Sequence, residues 1–264
     1  MNRIHFVEIC DKPWCPSVIR DGATDLLRCF ENTGKYFDCI VDKLKKAVNH
    51  SRTRRIIDLA SGGGGPWFRL YDQLNSTMDG SFELVLTDRF PNEKIIRRVK
   101  DELSDEIQYY PEEVNAREVP PKLNGFRTMF TSFHHFKPTE ALAILEDAVS
   151  KDQGIAIFEF TERRLVTILL ICLGPFMAFV MAPFIRPFYW RRLFWTYLIP
   201  LIPLVLLHDG YVSCLRTYSL KEMKNLISKI PESKYTWDVG KCPVPPGLLR
   251  ITYTIGYPKN PGNS

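Results

Sequence analysis

Residues Ile56–Gly65, which read IIDLASGGGG, decide the fold class of this 264-residue chain. An apolar, strand-like run ends at Asp58 and passes into a turn with four consecutive glycines, after which residues 67–70 resume an apolar pattern. Glycine permits positive φ angles and close approach of a ligand to the backbone, and the start of a helix presents N–H groups without helical partners. A strand, a glycine turn and a helix in this order predict a nucleotide-like ligand at the carboxyl edge of a parallel sheet.

Short apolar runs alternate with helical stretches on both sides of this turn. The strand-like runs are residues 55–59, 82–86, 107–110, 128–133 and 155–160. Strands that alternate with helices, such as the one predicted over 139–150, indicate βαβ units and a parallel sheet. Two last runs, 235–241 and 248–257, are joined by a Pro/Gly loop and predict an antiparallel hairpin at the sheet edge. Before the first strand, apolar residues at helical spacing predict helices over 17–30 and 35–48.

The residues around the glycine turn separate classes of ligand. Asp88 ends the second strand, where an acid binds ribose hydroxyls. A P-loop requires Gly-Lys-Ser/Thr after its glycines, whereas Gly65 is followed by Pro66 and Trp67, which argues against a nucleotide triphosphatase. A nicotinamide-dependent enzyme and a tight turn without a ligand stay open on these residues alone.

The segment Asp58–Gly64 resembles the first motif of class I S-adenosylmethionine-dependent methyltransferases, an acid followed by G-x-G-x-G, with Ala60 in place of the first glycine. The order of elements resembles that family over about residues 50–162 and 208–258. More locally, SGGGGPW (61–67), FRTMFTSFHHF (126–136) and DGYVSCLRTYS (209–219) resemble a bacterial methyltransferase subfamily. The resemblance implies a Rossmann-like sheet, S-adenosylmethionine as cofactor and methyl transfer as the reaction.

The resemblance also implies which residues bind the cofactor. Asp88 matches the acid that binds the ribose, and Asn115 with Ala116 matches the position that contacts adenine. The full set of cofactor-binding residues implied is Asp58, Ala60, Ser61, Gly62, Gly64, Asp88, Asn115, Ala116 and Thr131.

Candidate catalytic residues follow the fourth and fifth strands. His134 or His135 is suited to deprotonate an accepting hydroxyl or amine near neutral pH, and Glu159 is suited to orient the substrate. The alternatives are that the histidines bond to loop backbone and that Glu159 pairs with Arg163 or Arg164. No metal site is expected, because adjacent histidines should point apart and no neighbouring cluster completes one.

A long apolar stretch interrupts the pattern after the fifth strand. Residues 165–185 carry no charge, and a second uncharged run covers 193–207, with three arginines between them. Two membrane crossings would place these arginines on the far side, against the positive-inside tendency, and four prolines would break regular helices. We therefore expect a re-entrant or interfacial hairpin with Tyr189, Trp190, Trp195 and Tyr197 at headgroup depth. The alternative is a buried helical cap or dimer interface in a soluble protein.

Composition indicates the cellular compartment and the class of partner. The chain has a net charge of +5 and seven cysteines without zinc-site spacing, which favours free thiols in a reducing compartment. The N-terminus lacks the apolar run of a secretory signal. Outside the apolar insertion the basic residues form no stripe interleaved with aromatics, so no nucleic-acid partner is expected.

These observations predict an α/β protein with three parts. Residues 1–50 form an N-terminal helical lid, 51–162 and 208–264 a methyltransferase domain, and 163–207 an apolar insertion. The predicted function is methyl transfer to a lipophilic or membrane-associated acceptor at the cytoplasmic face of a membrane, with the protein peripheral or monotopic. The alternatives are a soluble small-molecule methyltransferase with an apolar cap, and a cofactor-binding or membrane-scaffold protein without turnover.

Overall fold

The chain forms two compact units. The computed structural model describes residues 2–78, 81–91, 93–102, 106–231 and 235–259. Met1–Lys35 and Thr161–Tyr218 form one unit, here called the helical unit, and Tyr36–Phe160 with Ser219–Ser264 form the other, the sheet unit. The predicted lid over 1–50 is thus divided, since its first 35 residues group with the apolar insertion and the rest group with the sheet.

The regular elements lie close to the predicted positions. In chain order the described residues form the helices α1 (Ser17–Thr33), α2 (Val41–His50), α3 (Trp67–Thr77), α4 (Glu93–Glu102), α5 (Pro138–Ser150), α6 (Leu165–Ile171), α7 (Gly174–Met181), α8 (Trp190–Leu193), α9 (Leu201–Arg216) and α10 (Leu220–Ile227). Short 3₁₀ turns cover Asp38–Ile40 and Phe133–His135, and a π-helical turn covers Phe194–Leu198. The strands are β1 (Arg55–Asp58), β2 (Glu83–Leu86), β3 (Ile107–Tyr109), β4 (Phe126–Phe130), β5 (Ile155–Glu159), β6 (Tyr235–Val244) and β7 (Leu249–Pro258).

The sheet unit is built on one seven-stranded sheet in the order β3-β2-β1-β4-β5-β7-β6. Strands β1 to β5 are parallel to one another, and β7 pairs antiparallel with both β5 and β6. The Rossmann-like sheet and its closing antiparallel hairpin are therefore confirmed. The strand order reverses direction between β1 and β4, and such a switch point is where open α/β sheets bind their ligands.

Register brings the strand ends to one edge of the sheet. Asp58 pairs with Leu86 on β2 and with Thr128 on β4, while Phe130 pairs with Phe158 on β5. All five residues of β4 and of β5 are buried, as expected for central strands covered on both faces. Polar residues that follow β1, β2, β4 and β5 consequently meet at the carboxyl edge.

An apolar face of α1 organises the helical unit. Ile19, Ala23 and Leu26 are buried and pack in one cluster with residues of α9, such as Ile202. A Cβ added to Gly22 would lie 2.5 Å from the Ile202 side chain, so α1 and α9 approach closely at this glycine. Helices α6 and α7 also pack against α9.

Buried charges fasten the N-terminal segment to α9. The Arg216 guanidinium, which is 4% exposed, donates to Asp11 at 2.9 Å and lies 3.2 Å from Glu8. The Asp209 carboxylate accepts from the backbone N–H groups of Ile9 and Cys10 at 2.7 and 2.9 Å. Unpaired buried charges are costly, so these pairs fix the path of the N-terminal segment.

The apolar insertion folds as several short helices rather than as a hairpin of two. Pro175 opens α7, Pro183 follows it, and Pro200 precedes α9, as expected for residues that cannot continue a helix. Pro203 lies in the first turn of α9, where it is tolerated. Among the described residues no single helix is long and apolar enough to cross a bilayer, and only the pair Trp190–Leu198 and Leu201–Arg216, bent by 77°, meets the criterion when taken together.

Candidate functional site

The glycine turn leaves β1 through a left-handed backbone. Ala60 has φ +54°, Gly62 has φ +49° and Gly64 has φ +91°. The turn is closed by the Gly64 N–H, which donates to the Ser61 carbonyl at 2.8 Å, and α3 begins three residues later at Trp67. A Cβ built on Gly62 meets no atom within 4 Å, so the chain leaves open space beside this residue. A ligand can thus approach the Gly62 backbone directly.

Asp58 stabilises the start of the turn from inside. Its carboxylate accepts hydrogen bonds from the hydroxyls of Ser61 and Thr128, both at 2.6 Å. The Ser61 hydroxyl also bonds to the Asp58 carbonyl at 2.9 Å and lies 3.2 Å from the Thr87 N–H. Burial raises the pKa of Asp58 to about 6, against the opposing effect of the two hydroxyls. The side chains of Asp58 and Ser61 therefore organise the loop.

Asp88 connects the second strand to the same turn. Its Oδ2 accepts from the Gly62 N–H at 2.9 Å and its Oδ1 from the Phe90 N–H at 2.8 Å. The side chain stays partly exposed, which suits a carboxylate that receives ribose hydroxyls as well.

Tyr109 holds the other side of Gly62. Its hydroxyl donates to the Gly62 carbonyl at 3.1 Å from the end of β3. Burial raises the pKa of Tyr109, and the neighbouring carboxylates of Asp88 and Asp58 raise it further, so the hydroxyl remains a donor. Gly62 is thus fixed at both its N–H and its carbonyl by side chains from two different strands.

Glu159 and His134 form a buried pair beyond β4 and β5. The Glu159 carboxylate accepts from the His134 backbone N–H at 3.0 Å and lies 2.7 Å from His134 Nδ1. Because a carboxylate only accepts, Nδ1 carries the proton in this contact, and the basic lone pair of the neutral ring is on Nε2. Of the two arginines considered as alternative partners of Glu159, Arg164 pairs with Glu162 at 2.8 Å.

The expectation that adjacent histidines diverge is wrong. The rings of His134 and His135 stack with centroids 4.3 Å apart. Both extend from the 3₁₀ turn Phe133–His135, whereas successive side chains point to opposite faces only in an extended strand. Of the two, His134 is the one bonded to Glu159.

The remaining predicted cofactor residues lie at the same edge. The Val114 N–H donates to the Asp88 carbonyl at 2.9 Å, which places the following Asn115 and Ala116 near Asp88. The Asn115 side-chain oxygen accepts from Arg117, so its role toward adenine remains a prediction. Thr131, at the end of β4, has φ +47° and donates its N–H to the Phe158 carbonyl at 2.8 Å.

Three residues of this site were missed by the sequence reasoning. Thr128 and Tyr109 lie within strands, and the resemblance gives neither a role toward the cofactor, so only their position in the sheet identifies them. The Ser132 hydroxyl is buried without a hydrogen-bond partner among the described residues, one residue after β4 and Thr131. A hydroxyl in that state beside a candidate site is suited to contact a ligand.

Comparisons with known proteins agree on the fold. No protein-family model matches the chain, and no curated protein sequence matches it significantly. Among solved structures, human N-acetylserotonin methyltransferase in complex with S-adenosylmethionine matches with a TM-score of 0.50 and 13% identity, over 90% of this chain and 57% of that one. An O-methyltransferase from neocarzinostatin biosynthesis matches with a TM-score of 0.48 and 14% identity, over 90% and 57%. The plantazolicin methyltransferase in complex with SAH matches with a TM-score of 0.47 and 11% identity, over 91% and 98%.

The first of these likenesses carries the assignment, and it concerns the fold. The chain spans 57% of the length of that methyltransferase, so the likeness covers part of the larger protein. The strand order β3-β2-β1-β4-β5-β7-β6 and the antiparallel hairpin are those of the Rossmann-like sheet predicted from the sequence. The sheet unit therefore has the Rossmann-like fold of class I methyltransferases.

Proposed function

We propose that the chain transfers the methyl group of S-adenosylmethionine to an oxygen or nitrogen atom of a lipophilic or membrane-associated acceptor. The observation that supports this function best is the position of a candidate cofactor-binding turn and a candidate base on either side of the point where the strand order reverses. The glycine turn braced by Asp88 follows β1, and the His134–Glu159 pair follows β4 and β5.

The residues present fit the cofactor. Open space beside Gly62 accommodates a ligand at the backbone, and the partly exposed Asp88 carboxylate accepts hydrogen bonds from a diol such as ribose. The turn lacks the lysine and hydroxyl that a triphosphate requires. Bound here, S-adenosylmethionine would supply a methyl group on a positively charged sulfur, and its transfer would leave the S–CH₃ electron pair on sulfur.

His134 is the base in this proposal. As the acceptor oxygen or nitrogen forms its bond to the methyl carbon, its proton passes to His134 Nε2, and the ring becomes an imidazolium. Glu159 keeps the ring in the required tautomer and lies 2.7 Å from the charge that develops. Orientation of the two reactants provides the other large contribution to the rate. Loss of the base therefore lowers the rate of methyl transfer without abolishing cofactor binding.

The lipophilic character of the acceptor is supported by the helical unit. Seventeen large hydrophobic side chains between Leu165 and Tyr211 are exposed, among them Phe184, Phe188 and Trp190. An enzyme that meets its acceptor in or beside a bilayer has use for such a surface.

The first test is calorimetric titration of the protein with S-adenosylmethionine and, separately, with NADH. We expect saturable binding of S-adenosylmethionine alone, and a clear loss of affinity in Asp88→Ala. Asp72→Ala, which removes an exposed carboxylate from α3, is the matched control and should bind normally. Binding of NADH alone would instead identify a dehydrogenase site, and silence from both ligands would refute the proposal.

The second test measures methyl transfer to lipid extracts with labelled cofactor. His134→Ala should lower kcat by about 10²–10⁴-fold while cofactor affinity stays within a few-fold, because a general base acts only in the transition state. Glu159→Gln should cost less, since its amide still accepts a hydrogen bond. Equal turnover in His134→Ala and the parent protein would exclude His134 as the base. Methylation confined to water-soluble acceptors would refute the lipophilic acceptor alone.

A further inference from the structure

The hydrophobic surface of the helical unit is concentrated in one stretch of the chain. Of the 24 large hydrophobic side chains that are exposed in the described residues, 17 lie between Leu165 and Tyr211; the other seven are at positions 4, 6, 7, 14, 27, 90 and 248. These 17 residues are called the apolar patch below. Exposed apolar patches of this kind mark sites of association with a membrane or another protein.

The patch belongs to helices that are apolar on both sides. In α7, Ala178 is fully buried, while Phe176 is 65% exposed and Val180 is 47% exposed on the other side. Helices α6 and α7 and the π-helical turn all pack against α9, so the helices that carry the exposed residues are neighbours in space as well as in sequence. A helix of a soluble domain ordinarily presents polar residues on its outer side.

Charge distinguishes between possible partners. Residues 163–208 contain five arginines and no aspartate or glutamate. Two of them, Arg186 and Arg191, are exposed and flank the exposed aromatic residues Phe188, Tyr189 and Trp190. Tryptophan and tyrosine concentrate at the boundary between hydrocarbon and water, and each arginine near an anionic bilayer strengthens binding by about fivefold.

A second copy of the chain fits this surface poorly. A symmetric dimer places the same patch on both sides of the interface. The exposed Arg186 and Arg191 of both copies would then lie in one interface, and residues 163–208 carry no acid. Lipid phosphates and the carboxylates of anionic lipids carry the opposite charge.

The segment Arg186–Trp190, here called the aromatic loop, is held in place before any partner binds. Arg192, which is 2% exposed, donates to Asp25 at 2.9 Å and to the carbonyls of Ile185 and Pro187 at 2.6 and 3.1 Å. This buried guanidinium fixes the turn that carries Arg186 and leads into Phe188–Trp190. A surface ordered in advance pays less conformational entropy on binding.

We infer that the apolar patch docks the protein on an anionic membrane surface, with Phe184 and Trp190 entering the bilayer interface and Arg186 and Arg191 binding lipid phosphates. The inference rests on the helical unit, and it stands or falls independently of methyl transfer. Phe184 and Trp190 are 79% and 66% exposed, so their replacement leaves the core of the unit intact.

The test is flotation of the full-length protein with vesicles, without cofactor. Vesicles of phosphatidylcholine alone are compared with vesicles that contain about 30% phosphatidylserine. We expect binding to the anionic vesicles that weakens with salt. Phe184→Ser combined with Trp190→Ser should reduce affinity for both vesicle types by at least about tenfold. Arg186→Gln combined with Arg191→Gln should reduce affinity for anionic vesicles by about tenfold or more and leave binding to neutral vesicles unchanged.

The matched control is Phe90→Ser, which removes a 78% exposed phenylalanine outside the patch and should float like the parent protein. Circular dichroism and cofactor titration verify that every variant is folded. Absence of flotation in the parent protein would overturn the inference. So would a protein that is dimeric without lipid and becomes monomeric in the Phe184/Trp190 variant, because the patch would then be a protein interface. Loss of methyl transfer with intact flotation would contradict the proposed function alone.

Discussion

Replacement of Asp58 by asparagine tests whether its carboxylate is buried as the structure shows. The pKa of this group is raised from 3.8 to about 6 because burial disfavours its charged form. Between these pH values the folded protein binds more protons at this site than the unfolded chain does, so the free energy of unfolding falls as pH rises. With about 1.4 kcal/mol per pKa unit, the loss between about pH 4.5 and about pH 7 amounts to about 2 kcal/mol. The raised pKa thus contributes stability at low pH that is lost as pH rises toward and through 6.

Asparagine removes this dependence without emptying the site. Its amide retains one acceptor for Ser61 or Thr128, and either hydroxyl can turn to accept from the amide nitrogen; any residual mismatch costs the same at both pH values. Urea unfolding of the parent protein and Asp58→Asn at the two pH values gives the comparison. We expect the difference in free energy of unfolding between the variant and the parent protein to shift by about 2 kcal/mol in favour of the variant from the lower to the higher pH. Asp72→Asn, on the exposed side of α3, controls for the change in net charge. A difference that stays constant with pH, or that changes in the opposite direction, would refute the reasoning.

Three further predictions concern the backbone and the buried contacts. Ala60→Gly should raise the free energy of unfolding by up to about 1 kcal/mol. The left-handed backbone at φ +54° costs about 1–2 kcal/mol in alanine, and the greater flexibility of glycine in the unfolded chain offsets part of the gain. Ala143→Gly within α5 should instead lower the free energy of unfolding by about 1 kcal/mol in the same denaturant titration. Tyr109→Phe should lower the free energy of unfolding by about 1 kcal/mol and weaken the binding of S-adenosylmethionine in calorimetry, because the Gly62 carbonyl loses its hydrogen-bond donor. Unchanged affinity would mean that the turn keeps its shape without the Tyr109 hydroxyl. Arg192→Met should destabilise the protein by about 3–5 kcal/mol in chemical unfolding, since the half-buried Asp25 carboxylate and the carbonyls of Ala182, Ile185 and Pro187 lose this donor. Arg191→Met, at an exposed position next to it, should change stability by less than about 0.5 kcal/mol. Similar values for both would contradict the network around Arg192.

The fold was predictable from the sequence because its local patterns agree with its topology. Alternating strands and helices specify a parallel sheet, and the glycine turn after Asp58 marks which strand is β1. The predicted strand bounds differ from the observed ones by up to three residues, for example where apolar runs continue into loops, as at Phe160. The helix expected from residue 35 begins as a 3₁₀ turn at Asp38 and becomes regular at Val41, a difference at a helix start that periodicity alone does not resolve.

The partners within the candidate site were less predictable, because they depend on strand neighbours. His134 and Glu159 were each selected from their place after a strand, but their contact follows from the adjacency of β4 and β5, where Phe130 lies opposite Phe158. Likewise, an apolar face on α1 was evident in the sequence, whereas its partner α9 lies far along the chain. The pair of Asp25 and Arg192 spans 167 positions and carries no motif.

Backbone strain adds evidence of a kind that the motif alone does not provide. Ala60 and Thr131, two non-glycine residues with left-handed φ angles, lie within two residues of the ends of β1 and β4, the two strands that flank the switch point. Such conformations persist only where the surroundings fix them. The Leu59 N–H donates to the Thr128 carbonyl, and the Ser61 N–H donates to the Thr87 carbonyl. The Thr131 N–H donates to the Phe158 carbonyl. The sheet therefore imposes the strain, and in doing so it turns both loops out of the strand direction at the one edge where a ligand of this fold binds. A turn that served only to connect β1 to α3 would not require a matching distortion on the neighbouring strand.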